Sequence, residues 1–451
     1  MTKNLYIILY IYIYIYYGFV YYFSSALNPL RTLLLLSFRL VYAISSLYLH
    51  PISGFYITYS EVRGTDGPGF IITLITWVLT FGCLLTILIK PEENTMLFPT
   101  TLFIASCRIR VFSAFSLLEF YVNFELTLFP ILIMILGWGY QPERLAARIA
   151  LLLYTISGSL PLFLYIIFYA GGGTQVFWQI NNQLLNPSVD VVFYLTIIAF
   201  LVKLPIFIAH IWLPKAHVEA PVFGSIFLAG TLLKLGGLGI VRFSIFLNHP
   251  LSFKFAALAF TSLVLVGLIC LFRGDIKILI AYSSVSHIRF VILRLFSLRR
   301  TGWSTRILVL LTHGFSSSLM FLLAHIFYLR SSSRSIIINQ NSLSWSGALS
   351  IVWFIGCLGL MGGPPATTFL REVLAILCSI SWWLSGVLVI RAGAFLGGAY
   401  SIILFSRTYH NFSLSESTAK SPLSNLELTA GVFHIFWLLA FFWIFPWATV
   451  V

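Results

Sequence analysis

Charge is scarce in this chain. Of 451 residues, 9% are Asp, Glu, Lys or Arg, against about 25% in an ordinary soluble domain. So few charges cannot cover a globule with a water-compatible surface, which excludes the soluble classes. Cysteine is scarce too. The five cysteines (Cys83, Cys107, Cys270, Cys357 and Cys378) stand far apart, with no CxxC and no Cys/His cluster. That pattern argues against iron–sulfur or structural zinc ligation within the chain, and the five read as small apolar fillers in helices. Phosphate-cradling loops are missing as well. The glycine runs "AGGGTQ" and "LGGLG" do not follow a strand in a βαβ unit, so no nucleotide, NADH or flavin fold is expected. No connector is long enough for a soluble catalytic domain. The start, "MTKNLYIILYIYIYIYYGFVYYF", has neither the small-residue cleavage site of a secretory signal nor the Arg/Ser richness of a transit peptide. The protein is expected to be made where it inserts.

What is present is apolar. Hydrophobic residues make up 59% of the chain, and mean hydropathy is +0.97. Stretches such as "LIMILGW" are apolar on all sides, unlike the alternating ten-residue segments of a membrane β-barrel. A spanning helix takes about 20 apolar residues, so the length holds roughly fourteen to sixteen spans. Spans are expected near 4–24, 30–48, 68–89, 97–115, 116–137, 147–170, 189–212, 221–246, 252–272, 275–296, 304–329, 346–376, 379–405 and 428–449. The first contains an Ile/Tyr alternation from Tyr10 to Tyr16 that fits a strand, but a lone strand in lipid leaves its backbone unsatisfied, so a helix is expected. The net charge of +14 would suggest nucleic acid in a soluble protein. Here the basic residues, among them Arg144, Arg148, Arg273, Lys277, Arg299 and Arg300, fall in short connectors where they can meet lipid headgroups. Their near-even division between alternate loops assigns no orientation.

Two spans read as broken. "FLVKLPIFIAHIWLPKAH" carries Pro205 and Pro214, and "GLMGGPPATTFLREV" carries Gly362, Gly363, Pro364 and Pro365 ahead of Glu372. Proline removes a backbone donor and forces a kink. Interrupted helices in matching places of two halves point to an ion path. Five helices separate the breaks, which fits two repeats of about five helices, spans 4–8 and 9–13.

Against this apolar ground stand ionisable residues at mid-span: Glu125, Lys203, Lys234, His287, His313 and, beyond the second break, Glu372. Each charge at the bilayer centre costs about 2.5–3.5 kcal/mol on insertion scales, so these groups are expected to face the bundle interior. Their chemistry suits protons. Burial moves lysine and glutamate pKa values toward neutrality, and histidine titrates there unaided. Ser283, Ser284 and Ser286 flank one histidine, Ser316, Ser317 and Ser318 the other, and serines can hold a file of water. Lys203, His210 and His217 are seven residues apart, one face of a continuous helix, although the intervening prolines spoil that register.

Blander readings apply to several of these. Lys90, Lys215 and Lys254 lie near span ends and are expected to snorkel; Lys203 and Lys234 lie too deep for that. A lone intramembrane histidine is as readily a packing residue as a relay, and His287 and His313 stand open between the two. His325, near a span end, reads as structural. Glu125 has no long stem with which to snorkel. Glu119 falls on another face and is expected near the interface. His210, His217 and Glu219 do not have HExxH spacing, so a metal is not expected.

At "HIWLPKAHVEAPVFGSIFLAGTLLKLGGLG" the chain resembles the chain 4 family of NADH:ubiquinone oxidoreductase, respiratory complex I. "HVEAP" after "WLPKA" separates this family from its antiporter-like sister chains. "FYVNFELTLFPILIMILGWGYQPERL", "RGDIKILIAYSSVSHI", "LTHGFSSSLMFLLAHIFYLRSSSR" and "GGPPATTFLREV" agree in order, and the resemblance runs from about Gly64 to about Tyr400. It implies an all-α integral membrane protein with the fourteen-helix antiporter-like fold, two inverted five-helix repeats and two discontinuous helices. The units implied are residues 1–96 (three spans), 97–246 and 252–405 (the proton-channel repeats) and 406–451 (a loop and the last helix). It implies a proton relay in which Glu125 matches the fifth-helix glutamate, Lys203 the lysine of the broken seventh helix and Lys234 the central eighth-helix lysine. His287 and His313 match polar relay positions, Glu372 the exit-side glutamate, and His210 and His217 family histidines. Two residues depart from the pattern: Arg289, two places after His287, and Glu119, for which Arg110 is a nearby partner.

The function implied is proton translocation coupled to NADH-to-ubiquinone electron transfer. No redox cofactor is expected in this chain; NADH, FMN, iron–sulfur clusters and ubiquinone belong to other subunits. The expected partners are other membrane-arm subunits, including the antiporter-like sister chains, and bilayer lipid with cardiolipin among it; nucleic acid is not expected. Two rival readings are a subunit of a stand-alone cation/proton antiporter complex, which sodium-dependent transport would favour, and a structural scaffold whose charges are internal salt bridges. The absent import signal, the short loops and the Ile/Tyr-rich start fit an organellar gene. The mitochondrial inner membrane is the expected place, with a bacterial plasma membrane the alternative.

Overall fold

The computed structural model describes residues 57–58, 64–87, 97–139, 141–168, 196–243, 250–295, 300–341, 346–380, 386–410 and 423–450. The expected spans 4–24 and 30–48 lie outside these. A two-residue strand pair, β1 (Ile57–Thr58) and β2 (Gly64–Thr65), is antiparallel. The rest is helical: α1 Gly67–Ile87, α2 Leu97–Ser113, α3 Leu117–Leu126, α4 Leu128–Trp138 and α5 Arg144–Phe168. Then come α6 over 196–203, α7 Trp212–Glu219 and α8 Val222–Phe243. After these run α9 Pro250–Leu271, α10 Ile276–Leu295, α11 Arg300–Ser331, α12 Gly347–Met361, α13 Thr367–Ile380, α14 Gly386–His410 and α15 Asn425–Val450. Among the described residues seven helical stretches are long and apolar enough to cross a membrane, with α3 and α4 together making one of them.

Burial sorts the helices into layers. The most apolar stretches of α8 and α11 are wholly buried, whereas α5 and α14 keep most of theirs outside. On α5 the outward stripe is Leu145, Ile149, Leu153, Ile156, Leu160, Leu164 and Ile167, one face of a helix in apolar solvent. The two central helices meet through glycine. A Cβ on Gly314 would already touch the Gly230 carbonyl at 3.4 Å, and one on Gly230 would run into the Leu79 side chain, so small residues let these helices pack closely.

Buried ion pairs tie the ends. Arg242, at the end of α8, grips Asp66 with Nη2–Oδ1 at 2.9 Å and Nε–Oδ2 at 3.2 Å. It also donates to the carbonyls of Phe112 (2.6 Å) and Ala114 (2.9 Å) at the end of α2. Asp66 in turn accepts from the Gly69 amide at 3.1 Å, capping α1. Arg330 on α11 holds Glu427 on α15 in a two-pronged pair at 3.2 and 2.6 Å.

Both expected breaks are present. α6 ends at Lys203, and the chain turns through 204–211 before α7 begins. Pro205 has no amide to give, and the Ile206 amide reaches the Leu201 carbonyl instead at 3.1 Å. Trp212 Nε1 donates to the Val202 carbonyl at 3.2 Å, fastening the second half to the first. The single span expected over 346–376 is α12 plus α13. Gly362 closes α12 with φ +75°, a left-handed conformation suited to glycine. A Cβ there would also run into the Glu372 carboxylate. The Pro364–Pro365 bond that follows is cis. α13 then starts with Thr367 Oγ1 donating to the Leu438 carbonyl at 3.0 Å.

One sequence expectation is corrected. Lys277 is not in a headgroup-facing connector. It is buried in α10, donating to the carbonyls of Ala220 (3.1 Å) and Val218 (3.5 Å) at the end of α7, where a helix dipole favours a cation. Glu119 stands where a helix begins. It is buried in the first turn of α3, where its amide meets the N-cap Ser116 oxygen at 3.4 Å. Cys83, Cys107, Cys270 and Cys357 are buried and free.

Candidate functional site

The first break positions Lys203. It is the last residue of α6, fully buried, and its ammonium points at the kink between α3 and α4. Nζ lies 3.5 Å from Glu125 Oε1 and donates to the Phe124 carbonyl at 3.0 Å. It also sits 2.9 Å from the centre of the Phe124 ring, a second source of cation stabilisation. Glu125 is the partly open member of the pair, its side chain 22% exposed against 0% for Lys203.

Lys234 follows a local irregularity. Residues Leu228–Leu232 of α8 form a π-turn, the kind of bulge that recurs at functional sites. From the next turn Lys234 reaches back to the Ala229 carbonyl and across to His313 Nδ1 at 2.9 Å. The His313 ring on α11 is centred 6.2 Å from that of His287 on α10. His287 Nε2 lies 3.4 Å from the Tyr400 hydroxyl on α14. Lys234, His313, His287 and Tyr400 thus form a contiguous buried polar run across four helices. The serines on either side of the histidines turn inward to their own helices. Ser283 donates to the Ile280 carbonyl at 2.8 Å, Ser286 to that of Ser283 at 2.7 Å, and Ser317 to that of His313 at 2.6 Å. Their lone pairs remain as acceptors.

The second break positions Glu372. Its Oε1 is 3.1 Å from Arg371 Nη2, and Arg371 is fully buried while Glu372 is 16% exposed. The other two expected residues stand apart. His210 Nδ1 meets the Phe207 carbonyl, and its ring stacks on Phe207 at 5.3 Å. His217 lies flat on Phe321 at 4.5 Å, and neither ring nitrogen has a hydrogen-bond partner among the described residues. The seven-residue register of Lys203, His210 and His217 does not survive, because the helix stops after the first of them. Arg289 is buried over the Phe207 ring at 5.7 Å, on the His210 side.

Several buried groups here went unread in the sequence. Arg108 on α2 donates to Thr231 Oγ1 within the π-turn, with its guanidinium 5.0 Å from the Phe227 ring. Tyr400 has no flanking motif at all. Arg371 is visible in the sequence only as the neighbour of Glu372.

A membrane-spanning helical bundle with two interrupted helices and an interior row of lysine, histidine and glutamate defines an antiporter-like membrane protein. The profile of one such family, described as NADH:quinone oxidoreductase/Mrp antiporter, transmembrane, matches residues 114–397. The chain belongs to this family, and within it to the NADH-ubiquinone oxidoreductase chain 4 proteins. It is 42% identical over 295 residues to that protein of Aedes aegypti, covering 64% of this chain and 66% of the relative. It is 32% identical over 393 residues to that of Lumbricus terrestris, covering 85% and 87%. Among solved structures, respiratory complex I from Thermus thermophilus with bound NADH contains a chain that superposes with a TM-score of 0.80 at 23% identity, covering 94% of this chain and 91% of that one. That likeness is one of fold.

Proposed function

We propose that this chain is a proton-translocating membrane subunit of respiratory complex I, multi-pass in the mitochondrial inner membrane. It carries no redox group of its own; NADH, FMN, iron–sulfur clusters and ubiquinone belong to other subunits. Its neighbours are other membrane-arm chains, antiporter-like sisters among them, and lipid, including cardiolipin. The full chain makes fourteen spans, with two inverted repeats over 97–246 and 252–405 preceded by residues 1–96 and followed by 406–451.

Each side chain then has a task. Glu125 tunes Lys203 by approaching or leaving it. Lys203 hands protons through water to Lys234, and Lys234 to His313 and His287. Glu372 releases them at the exit side. His210 and His217 serve the entry side around the first break. One observation carries this reading most: the Lys203–Glu125 pair at 3.5 Å sits where two helices are interrupted, so a small movement of a half-helix changes the separation. Moving one charge against 100 mV takes about 2.3 kcal/mol, within reach of one ion pair.

The test replaces Glu125 or Lys203 by alanine in the assembled complex. Proton-coupled quinone reduction is expected to be lost while electron input from NADH to an artificial acceptor persists. Normal pumping in both variants overturns the proposal. The family description also covers Mrp antiporters; sodium-dependent transport without flavin or iron–sulfur partners is the outcome that favours that second reading.

A further inference from the structure

The second break holds a charge the relay does not need. Arg371 immediately precedes Glu372, is fully buried, and pairs with its carboxylate at 3.1 Å. Its guanidinium also stands 5.5 Å from the centre of the Phe290 ring. Phe290 is three residues after His287 on α10, and that spacing shares a helix face. The guanidinium therefore holds the exit carboxylate while standing beside the face of α10 that carries His287. The Glu372 carboxylate is confined from the other side by Gly362, where a Cβ has no room. A guanidinium stays charged at every accessible pH, so this cation does not relay protons.

We propose that Arg371 is a positioning residue for the exit step, a fixed internal counter-charge that pins Glu372 at the break. This rests on the relay reading above. With Arg371 in place, the Glu372 carboxylate is held at the break. A proton reaching it dissolves the ion pair and frees the side chain to turn toward the exit. Loss of the charge leaves an exit carboxylate that turns whether or not it carries a proton, so release is no longer tied to pumping.

The experiment uses the whole complex reconstituted in vesicles, with Arg371→Met and Arg371→Lys compared. Protons moved per NADH oxidised and passive proton leak without NADH are both measured. Arg371→Met keeps the apolar stem and removes the charge; it is expected to lower the ratio at least twofold and raise the leak. Arg371→Lys keeps the charge and is expected to restore most of both. Equal behaviour of Met and Lys variants, whether both normal or both defective, assigns Arg371 to packing and overturns the proposal. Lys203→Ala run alongside separates the two ideas. Loss of pumping there with a normal Arg371→Met sinks only this inference, while normal pumping there sinks the relay itself.

Discussion

Replacing Glu125 by glutamine removes a charge and keeps a shape. The structure sets the expected size of the effect. Opposite charges 3.5 Å apart attract by about 5 kcal/mol at an effective dielectric of ~20. Glu125 is partly open, and screening reduces the usable part to about 2–3 kcal/mol. That matches the ~2.3 kcal/mol needed to move one charge against 100 mV, so the pair is large enough to gate a proton and small enough to be broken. With glutamine in place Lys203 keeps the Phe124 carbonyl and ring but loses the switch. Proton movement is expected to slow by about 30-fold, the rate equivalent of ~2 kcal/mol. The assay is acidification by reconstituted vesicles oxidising NADH, with artificial-acceptor reduction as the control for assembly. Glu125→Gln, Lys203→Met and the double variant make a cycle. If the residues act as a pair, the double variant is no slower than the worse single one. Additive losses, or unchanged pumping in Glu125→Gln, refute the reasoning.

Three further outcomes follow from the same geometry. Tyr400→Phe deletes only the hydroxyl at 3.4 Å from His287; thermal stability is expected to change by no more than about 1 kcal/mol while proton movement slows, and an unchanged rate would make Tyr400 a packing residue. Arg242→Ala leaves Asp66 buried without its partner and frees the carbonyls at the end of α2, a cost of about 3–5 kcal/mol; the readout is the yield and melting temperature of assembled complex, and near-normal values would show that the tether does not hold the bundle. Gly362→Ala forces a Cβ into a left-handed residue, about 1–2 kcal/mol, and against the Glu372 carboxylate; both stability and proton release are expected to fall, and a variant that melts and pumps normally would contradict the placement of that carboxylate.

Hydropathy made the described helices legible because lipid leaves the backbone few other choices. The breaks were legible because Pro205 and the run Gly362–Pro365 cannot continue a helix. Partners were not legible. Lys277 stands in a polar stretch, "RGDIK", and only the end of α7 packed against it shows that its ammonium is enclosed. The burial of Glu119 was not legible for a related reason: its spacing from Glu125 gives a face, not what covers that face. His210 and His217 kept a helical spacing from Lys203 that the break erased. No composition or period announces the π-turn at Leu228–Leu232, which is a response of α8 to its neighbours.

Four buried cations share a way of being solvated. Lys203 donates to the Phe124 carbonyl beside the α3–α4 kink, and Lys234 to the Ala229 carbonyl in the π-turn. Lys277 donates to carbonyls at the end of α7, and Arg242 to those at the end of α2. Each of these oxygens lies where a helix is interrupted or ends, the places where carbonyls are not fully used by the i→i+4 pattern. A carbonyl stabilises an ammonium as water would, yet brings no negative charge that would trap its proton. A carboxylate does trap it. In the proposed relay this suits Lys234, which meets a carbonyl and a histidine, to pass protons on, and Lys203, facing Glu125, to hold one until the carboxylate withdraws. The interruptions in the helices thus supply the polar oxygens without which a charge at that depth would not be tolerated.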